Sequence, residues 1–279
     1  MSDPVAWRLV VDGARRGSQN MAVDEALLDS VSRGQAPPTL RFYQWAPACL
    51  SLGYFQPFAA VDVQACRQAG VDIVRRPTGG RAILHHHELT YSVALPVAAL
   101  DQESGVLQSY YHLSLGLTEG LGRLGVETTL APSAPLRATH GPACFDEPSD
   151  HEILFGGRKL VGSAQVRRNG ALLQHGSILF QPQVDELLHC LRLEPQEAAR
   201  QRVAMTAGVA GLDQAGRFTA SEVAQAVAAG MESALGIRVA RGSLTRAERL
   251  AAAWLERHKY ATAEWTEGEE RNKGQMRRG

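Results

Sequence analysis

The sequence predicts an α/β (α+β) fold: a single domain with a mixed, largely antiparallel sheet flanked by helices. Two observations carry this. Segments of period 2 and period 3.6 follow one another along the chain without an internal repeat or a convincing linker. In the middle, three consecutive period-2 segments are separated by Gly156-Gly157 and Asn169-Gly170, both two-residue hairpin signals, which makes an antiparallel meander.

In chain order, Trp7–Val11 reads as a short strand. Ser18 then opens a helix to about Arg33, with Val23, Leu27 and Val31 on one face. Leu40, Phe42 and Gln44 alternate with Arg41, Tyr43 and Trp45 as a strand, and Leu50–Gly53 is another. Val61–Gln68 is helical and stops at Gly70; Val71–Arg76 is a strand running into Pro77-Thr78-Gly79-Gly80. Glu88–Leu95 alternates as a strand, and Val106–Leu124 is a long helix. Ala131–Pro148, with Pro132, Pro135, Pro142 and Pro148 and no period, is expected to be a long ordered loop, a length that is uncommon unless functional. The meander Glu152–Phe155, Lys159–Arg167 and Ala171–Phe180 follows, then helices at Val184–Leu191, Ser221–Leu235 and Thr245–His258. Residues 1–265 are assigned to one catalytic domain, and the charged, glycine-containing stretch 266–279 to a flexible tail.

The 29 basic and 29 acidic side chains cancel, so no excess positive field points to nucleic acid. No apolar run reaches the roughly 18–20 residues of a membrane span, and Met1-Ser2-Asp3-Pro4 lacks the basic-then-apolar pattern of a signal peptide. Cys49, Cys66, Cys144 and Cys190 form neither a CxxC pair nor a disulfide framework. The expectation is a reduced cytoplasmic protein whose thiols are buried or catalytic.

Cys49 falls in a strand and Cys66 and Cys190 in helices, where a thiol behaves as a small hydrophobe. Cys144 alone lies in a loop. To act as a nucleophile it must be a thiolate, and a free thiol near pKa ~8.5 is only a few per cent ionised at neutral pH. Cations close in sequence are His140, His151 and Lys159. Lys159 is either a solvated hairpin lysine or a desolvated proton carrier; the apolar, small-residue run Leu160-Val161-Gly162-Ser163-Ala164 behind it suits the edge of a pocket. Arg75-Arg76-Pro77-Thr78-Gly79-Gly80-Arg81 offers either close backbone approach and charge for an anion or carbonyl, or a tight turn with solvated arginines. It lacks P-loop spacing. In His85-His86-His87-Glu88 an extended backbone lets at most two of the three imidazoles share a site, so no metal is assigned; one inward histidine ordering the glycine turn fits better.

As a set, these segments resemble the lipoate–biotin ligase superfamily of lipoate–protein ligases and octanoyltransferases. Ser18–Leu28 is similar to its opening helix, Arg75–His85 to its glycine-turn signature, and Glu88–Ser92 to the strand after it. Gly157–Gln165 resembles its lysine strand, Leu173–Leu179 the next strand, and Lys259-Tyr260…Glu264-Trp265 its ending. Ala143–Ser149 looks like the cysteine loop of octanoyltransferases with a mid-chain nucleophile. The resemblance implies an acyl thioester on Cys144, supported by Lys159. It also implies a substrate site lined by Arg76, Thr78, Ala82, Ile83 and His85, completed by Gly79, Gly80, Arg81, Gly162, Ser163 and His175. His86 departs from the pattern, since relatives often carry an acidic residue there.

The implied reaction moves octanoyl from octanoyl-acyl carrier protein to a lysine of a lipoyl-domain protein, such as the glycine-cleavage H protein or a dehydrogenase E2, without a cofactor, in a monomer. Three rivals stand beside it: an ATP-dependent lipoate–protein ligase, an octanoyl amidotransferase between lipoyl domains, and a non-catalytic carrier-protein-binding module. The stretch after Arg241 is short for the accessory C-terminal domain of many ligases.

Overall fold

In the computed structural model, residues 5–100, 105–131 and 152–268 are described. In order they form β1 (Ala6–Arg15), α1 (Gly17–Ser32), β2 (Thr39–Trp45), β3 (Cys49–Leu52), α2 (Val63–Gln68), β4 (Asp72–Arg75), β5 (Ile83–His85), β6 (Glu88–Pro96) and α3 (Val106–Gly122). Then come β7 (Thr128–Leu130), β8 (Ile153–Phe155), β9 (Arg158–Arg168), β10 (Ala171–Leu179), α4 (Val184–His189), α5 (Pro195–Gly208), α6 (Ala220–Leu235), β11 (Arg238–Arg241), α7 (Arg246–Leu255) and α8 (Ala263–Glu267), with a π-helical turn at Glu256–Tyr260 between the last two.

The strands build two sheets where one was expected. The larger has the order β11-β1-β2-β6-β10-β9-β8-β7. It is parallel only at β11-β1 and β1-β2 and antiparallel from β2 onward, as the mixed, largely antiparallel expectation has it. The smaller sheet, β4-β3-β5, carries the glycine turn between β4 and β5. The meander turns are as expected: Gly156, Gly157, Asn169 and Gly170 all have positive φ, which two-residue hairpin loops require.

Alternation along β2, β6 and β10 decides what each face of the large sheet holds. Leu40, Phe42, Leu89, Tyr91, Val93 and Leu172 join α3 and α6 in the main core. The opposite face meets α1 and α7, where Val23, Leu27 and Leu28 pack on Ala94 and Leu173. On that second face the same strands also place polar side chains, so α1 covers a polar layer rather than an oily one. A further core joins the small sheet to α2, α4 and α5 through Leu50, Leu84, Leu187 and Met205.

Several elements were not read from the sequence. In α5 only Gln201 and Met205 are buried, so it has no apolar stripe to betray it. β7 and β11 are short outer strands of the large sheet. Thr266, expected to begin a flexible tail, is instead buried in α8, and its backbone carbonyl accepts from Arg75 Nε (3.1 Å) and Nη2 (2.9 Å). Residues 269–279 of that stretch, and all of the loop 132–151 with Cys144, lie outside the described residues.

α3 and α6 approach through glycines. A Cβ on Gly230 would run into backbone atoms of Gly116 and Gly120. Overpacking of this kind costs about 1–3 kcal/mol, against roughly 0.5–1 kcal/mol gained from helix propensity. Gly230→Ala is therefore expected to lower the urea midpoint of unfolding with little change in its slope.

Candidate active site

Every functional side chain on the α1 side of the sheet is set by strand register. Arg41 of β2 pairs with Ser92 of β6, which pairs with His175 of β10. This row of three lies under Asp24, a residue of α1 with no exposure to solvent. Asp24 Oδ1 accepts from Arg41 Nη1 (2.8 Å) and Ser92 Oγ (2.9 Å); Oδ2 accepts from Tyr43 Oη (2.8 Å) and lies 3.2 Å from His175 Nδ1. Burial alone would raise the Asp24 pKa. The hydrogen bond to His175 and the charge of Arg41 outweigh it and hold the carboxyl below its ordinary range. His175 Nε2 in turn lies 2.7 Å from Thr78 Oγ1 in the glycine turn.

The neighbouring row repeats the arrangement. Glu88, at the start of β6, accepts from Thr90 Oγ1 (2.6 Å) and Ser177 Oγ (2.5 Å), and its Oε1 lies 3.3 Å from His85 Nδ1. His85 Nε2 is 2.8 Å from Ser51 Oγ, and Trp45 stacks on the imidazole at 4.0 Å with 12° between planes. Burial pushes the His85 pKa below its ordinary 6.5, although Glu88 pulls the other way.

Between the two rows is a narrow slot that opens to solvent. Its walls include Met21, Tyr43, Trp45, Ile83, His85 and His175, with Gly162 and Ser163 of β9 on one side and Arg76 and Gly80 of the glycine turn on another. The polar groups of these walls are already engaged with one another: Ser163 Oγ with Tyr91 Oη at 2.7 Å, the two imidazoles as above. A wall of this kind presents little to a polar ligand and suits an alkyl chain.

Of the substrate-binding residues expected from sequence, the slot brings together Arg76, Gly80, Ile83, His85, Gly162, Ser163 and His175. Thr78 stands behind His175. Gly79 and Arg81 serve as acceptors for Arg76, through their carbonyls, and Ala82 lies in the core of the small sheet. Of the two readings of the arginine-rich turn, neither solvated arginines nor an open anion site describes Arg75 and Arg76. Both are buried. Arg75 binds the carbonyls of Gly53, Tyr54, Gln56 and Thr266; Arg76 binds those of Ser51, Gly79 and Arg81. Gly80 has φ +93°, and a Cβ on Gly53 would overlap its carbonyl, so glycine is required at both positions.

Lys159 is buried on β9, and its Nζ pairs with Glu152 Oε1 at 2.5 Å. It is not a solvated hairpin lysine. It stands three residues, roughly 10 Å of extended strand, from the slot residue Gly162. Cys144, with His140 and His151, lies outside the described residues; Cys49, Cys66 and Cys190 are buried free thiols. Among the described residues no group of three or more His, Cys, Asp or Glu is placed to hold a metal ion, and no helix is long and apolar enough to cross a membrane. Sequence reasoning did not single out Arg41, Tyr43, Ser51 or Ser177. The one available signal was charged or polar residues at positions where the period demands burial.

The fold and this slot define a class. The family model described as lipoyl protein ligase A/B catalytic domain matches residues 16–232, and the chain belongs to that family. Among curated relatives, the octanoyltransferase LipM of Symbiobacterium thermophilum is 44% identical over 268 residues, covering 93% of this chain and 97% of its own. That of Staphylococcus aureus is 38% identical over 273 residues with the same coverages. Among solved structures, lipoate-protein ligase A bound with ATP aligns with TM-score 0.77 and 25% identity, over 96% of this chain and 99% of that one. The bipartite lipoate protein ligase of Thermoplasma acidophilum aligns with TM-score 0.81 at 23% identity, over 96% and 99%, and shares the fold.

The depressed pKa values predict the pH dependence of stability. Asp24, Glu25 and His85 all have folded values below the ordinary 3.8, 4.5 and 6.5. For each, the unfolded chain binds protons that the folded chain refuses, so stability falls as pH falls. The decline is expected to begin near pH 6.5 through His85 and to steepen below about 4.5 as the unfolded carboxylates protonate, continuing until the folded ones do. Urea midpoints measured across pH 3–8 check this, and His85→Gln should flatten the upper limb alone.

Proposed function

We propose that this chain is an octanoyltransferase of protein lipoylation. It takes octanoyl from octanoyl-acyl carrier protein as a thioester on Cys144 and passes it to a lysine of a lipoyl domain, such as H protein. The observation that carries the reading is the pairing, on the single strand β9, of a buried cation at Lys159 with the wall of an apolar slot at Gly162 and Ser163. Relatives 38–44% identical over most of the chain and named octanoyltransferase support it.

In the first half-reaction the Cys144 thiolate attacks the thioester carbonyl, the carbon–sulfur bond to the carrier breaks, and the carrier thiolate leaves. In the second, a lysine amine attacks the acyl-cysteine, the carbon–sulfur bond to Cys144 breaks, and Lys159 relays the amine proton to the departing thiolate. Thioester exchange is nearly level and amide formation runs downhill, so no nucleotide is needed. Each buried methylene adds ~0.8 kcal/mol, so the six between an octanoyl carbonyl and its methyl contribute about 5 kcal/mol. That is the physical basis for preferring octanoyl to acetyl in the slot. The activity fits one catalytic domain that includes α8 through Glu267, working as a cytoplasmic monomer.

The ATP-dependent ligase reading draws on the ATP-bound structural neighbour. Against it, Arg75 and Arg76 are buried and directed at backbone carbonyls, an arrangement poorly suited to holding a triphosphate.

Incubation with octanoyl-acyl carrier protein and no ATP is expected to yield an octanoyl adduct that peptide mass maps to Cys144 and that is absent from that peptide in Cys144→Ala. No adduct on Cys144 in the wild type overturns the reading. Supplying an octanoylated lipoyl domain as donor in place of the carrier protein identifies an amidotransferase. Lys159→Met alone strips a buried carboxylate of this partner, a loss of about 3–5 kcal/mol where a buried pair is broken. The Lys159→Met/Glu152→Gln pair is therefore the informative variant. It should remain folded and transfer octanoyl about 10²–10⁴-fold more slowly.

A further inference from the structure

The slot wall contains a hydroxyl that the transferase chemistry leaves unused. Ser51, on β3, borders the slot together with His85 and Arg76. Its Oγ is 2.8 Å from His85 Nε2, and His85 Nδ1 faces Glu88 Oε1 at 3.3 Å. Glu88 is itself anchored by the hydroxyls of Thr90 and Ser177, which donate to it. A carboxylate at Nδ1 fixes the proton on that nitrogen, so Nε2 carries the lone pair and accepts from the Ser51 hydroxyl. The Trp45 stack holds the ring plane. Arg76 Nη1 donates to the same Oγ at 3.2 Å, placing a cation beside the nucleophile. Hydroxyl, imidazole and carboxylate in hydrogen-bonded series, beside a fixed donor, are the parts of a serine acyl-transfer site. Thr78, His175 and Asp24 form a similar series, but Thr78 stands off the slot wall.

We propose that Ser51 is a second acyl acceptor, giving the protein a hydrolytic activity toward medium-chain acyl esters and thioesters that does not use Cys144. The inference rests on reading the slot as the acyl site. Ser51 Oγ bonds to the acyl carbon as its proton passes to His85 Nε2. The bond from the acyl carbon to the leaving oxygen or sulfur breaks, and the leaving group takes that proton. Water then adds to the acyl-serine and gives a proton to Nε2, the acyl–Oγ bond breaks, and Oγ recovers the proton as the carboxylic acid departs. No oxidant, reductant or further co-reactant enters. The hydroxyl would act as a slow outlet for acyl groups that enter the slot and find no acceptor lysine. Because burial lowers the His85 pKa, with Glu88, Arg76 and His175 as the charged or titratable groups facing it, the base is neutral and competent at pH 7.

The test uses the full chain carrying Cys144→Ala, with p-nitrophenyl octanoate as substrate and an octyl fluorophosphonate as trap. Expected are p-nitrophenolate release faster with octanoate than with acetate, and a phosphonyl adduct mapped by peptide mass to Ser51. Adding Ser51→Ala should abolish both, and adding Glu88→Gln should slow hydrolysis at least about tenfold and shift its lower pH limb. The mapping needs no Ser51 variant, so it decides the matter even if Ser51→Ala fails to fold. An adduct elsewhere, no adduct, or hydrolysis unchanged by Ser51→Ala overturns the proposal. Failure of the wild type to form octanoyl-Cys144 from the carrier protein is a separate result, which overturns the transferase reading while leaving the Ser51 mapping to stand or fall by itself.

Discussion

The buried carboxylate of Asp24 is the constraint around which this fold is arranged. An ionised carboxyl removed from water costs several kcal/mol unless its lone pairs are met by donors and its charge by a cation. Here the donors come from three different strands, Arg41 and Tyr43 on β2, Ser92 on β6 and His175 on β10. A one-residue slip in any of these strands would turn its donor to the other face of the sheet and leave Asp24 uncompensated. The Asp24 carboxylate therefore acts as a register lock. Arg41 reaches Asp12 of β1 as well, at 2.8 Å, so the lock extends to a fourth strand.

Fixing the register also fixes the slot. Once Arg41, Ser92 and His175 stand in one row, the next row must hold Tyr43, Thr90 and Ser177, and Glu88 closes it. Most polar groups of the cavity are thereby engaged with one another or with carboxylates, while much of what faces the slot is ring and methylene surface. An alkyl chain held beside a reactive carbonyl, as proposed for this slot, would call for that division of labour. Polar atoms stiffen the wall without offering the chain anything to bind but apolar area. The α1 helix is held from outside by a second buried carboxylate, Glu25. It accepts from Lys259 (2.6 and 2.8 Å), Tyr260 (2.6 Å) and Arg168 (2.8 Å), so the C-terminal segment is tied to the helix that covers the site.

Much of this was legible in the sequence, for reasons that differ by element. Strands β6 and β10 and the hairpins at Gly156-Gly157 and Asn169-Gly170 are local signals: alternation and turn chemistry are written within a few residues. Their partners are not. Alternation in Glu88–Leu95 gives a period without saying that α1, some 60 residues earlier, roofs the polar face. The arginines of the glycine turn show the same limit. Three cations near paired glycines look like an anion site until the carbonyls of Gly53, Gln56 and Thr266 come into reach, the last of them nearly 200 positions away. Helix α5 escaped for the opposite reason. It has a proline in its first turn and good helix formers, but almost no apolar stripe.

Lys159 shows how the fold converts a surface residue type into a chemical one. A lysine directly after a two-residue hairpin turn is ordinarily solvated. On β9, Lys159 pairs with Leu154 of β8 on one side, and on the other Val209, just past α5, forms a bridge to Lys159 itself before β10 takes over that side from Val161. The ammonium is enclosed, and Glu152 at 2.5 Å balances its charge. A buried ion pair of this kind is poor evidence for stability, since an apolar pair of similar volume often does as well. Its place on the strand that walls the slot is what the proposed chemistry would use. Under the proposed reading, a cation held in place by one carboxylate on the strand that walls the slot would favour a thiolate. The buried His85 imidazole on the other side of the slot, whose pKa burial lowers, does not supply that charge.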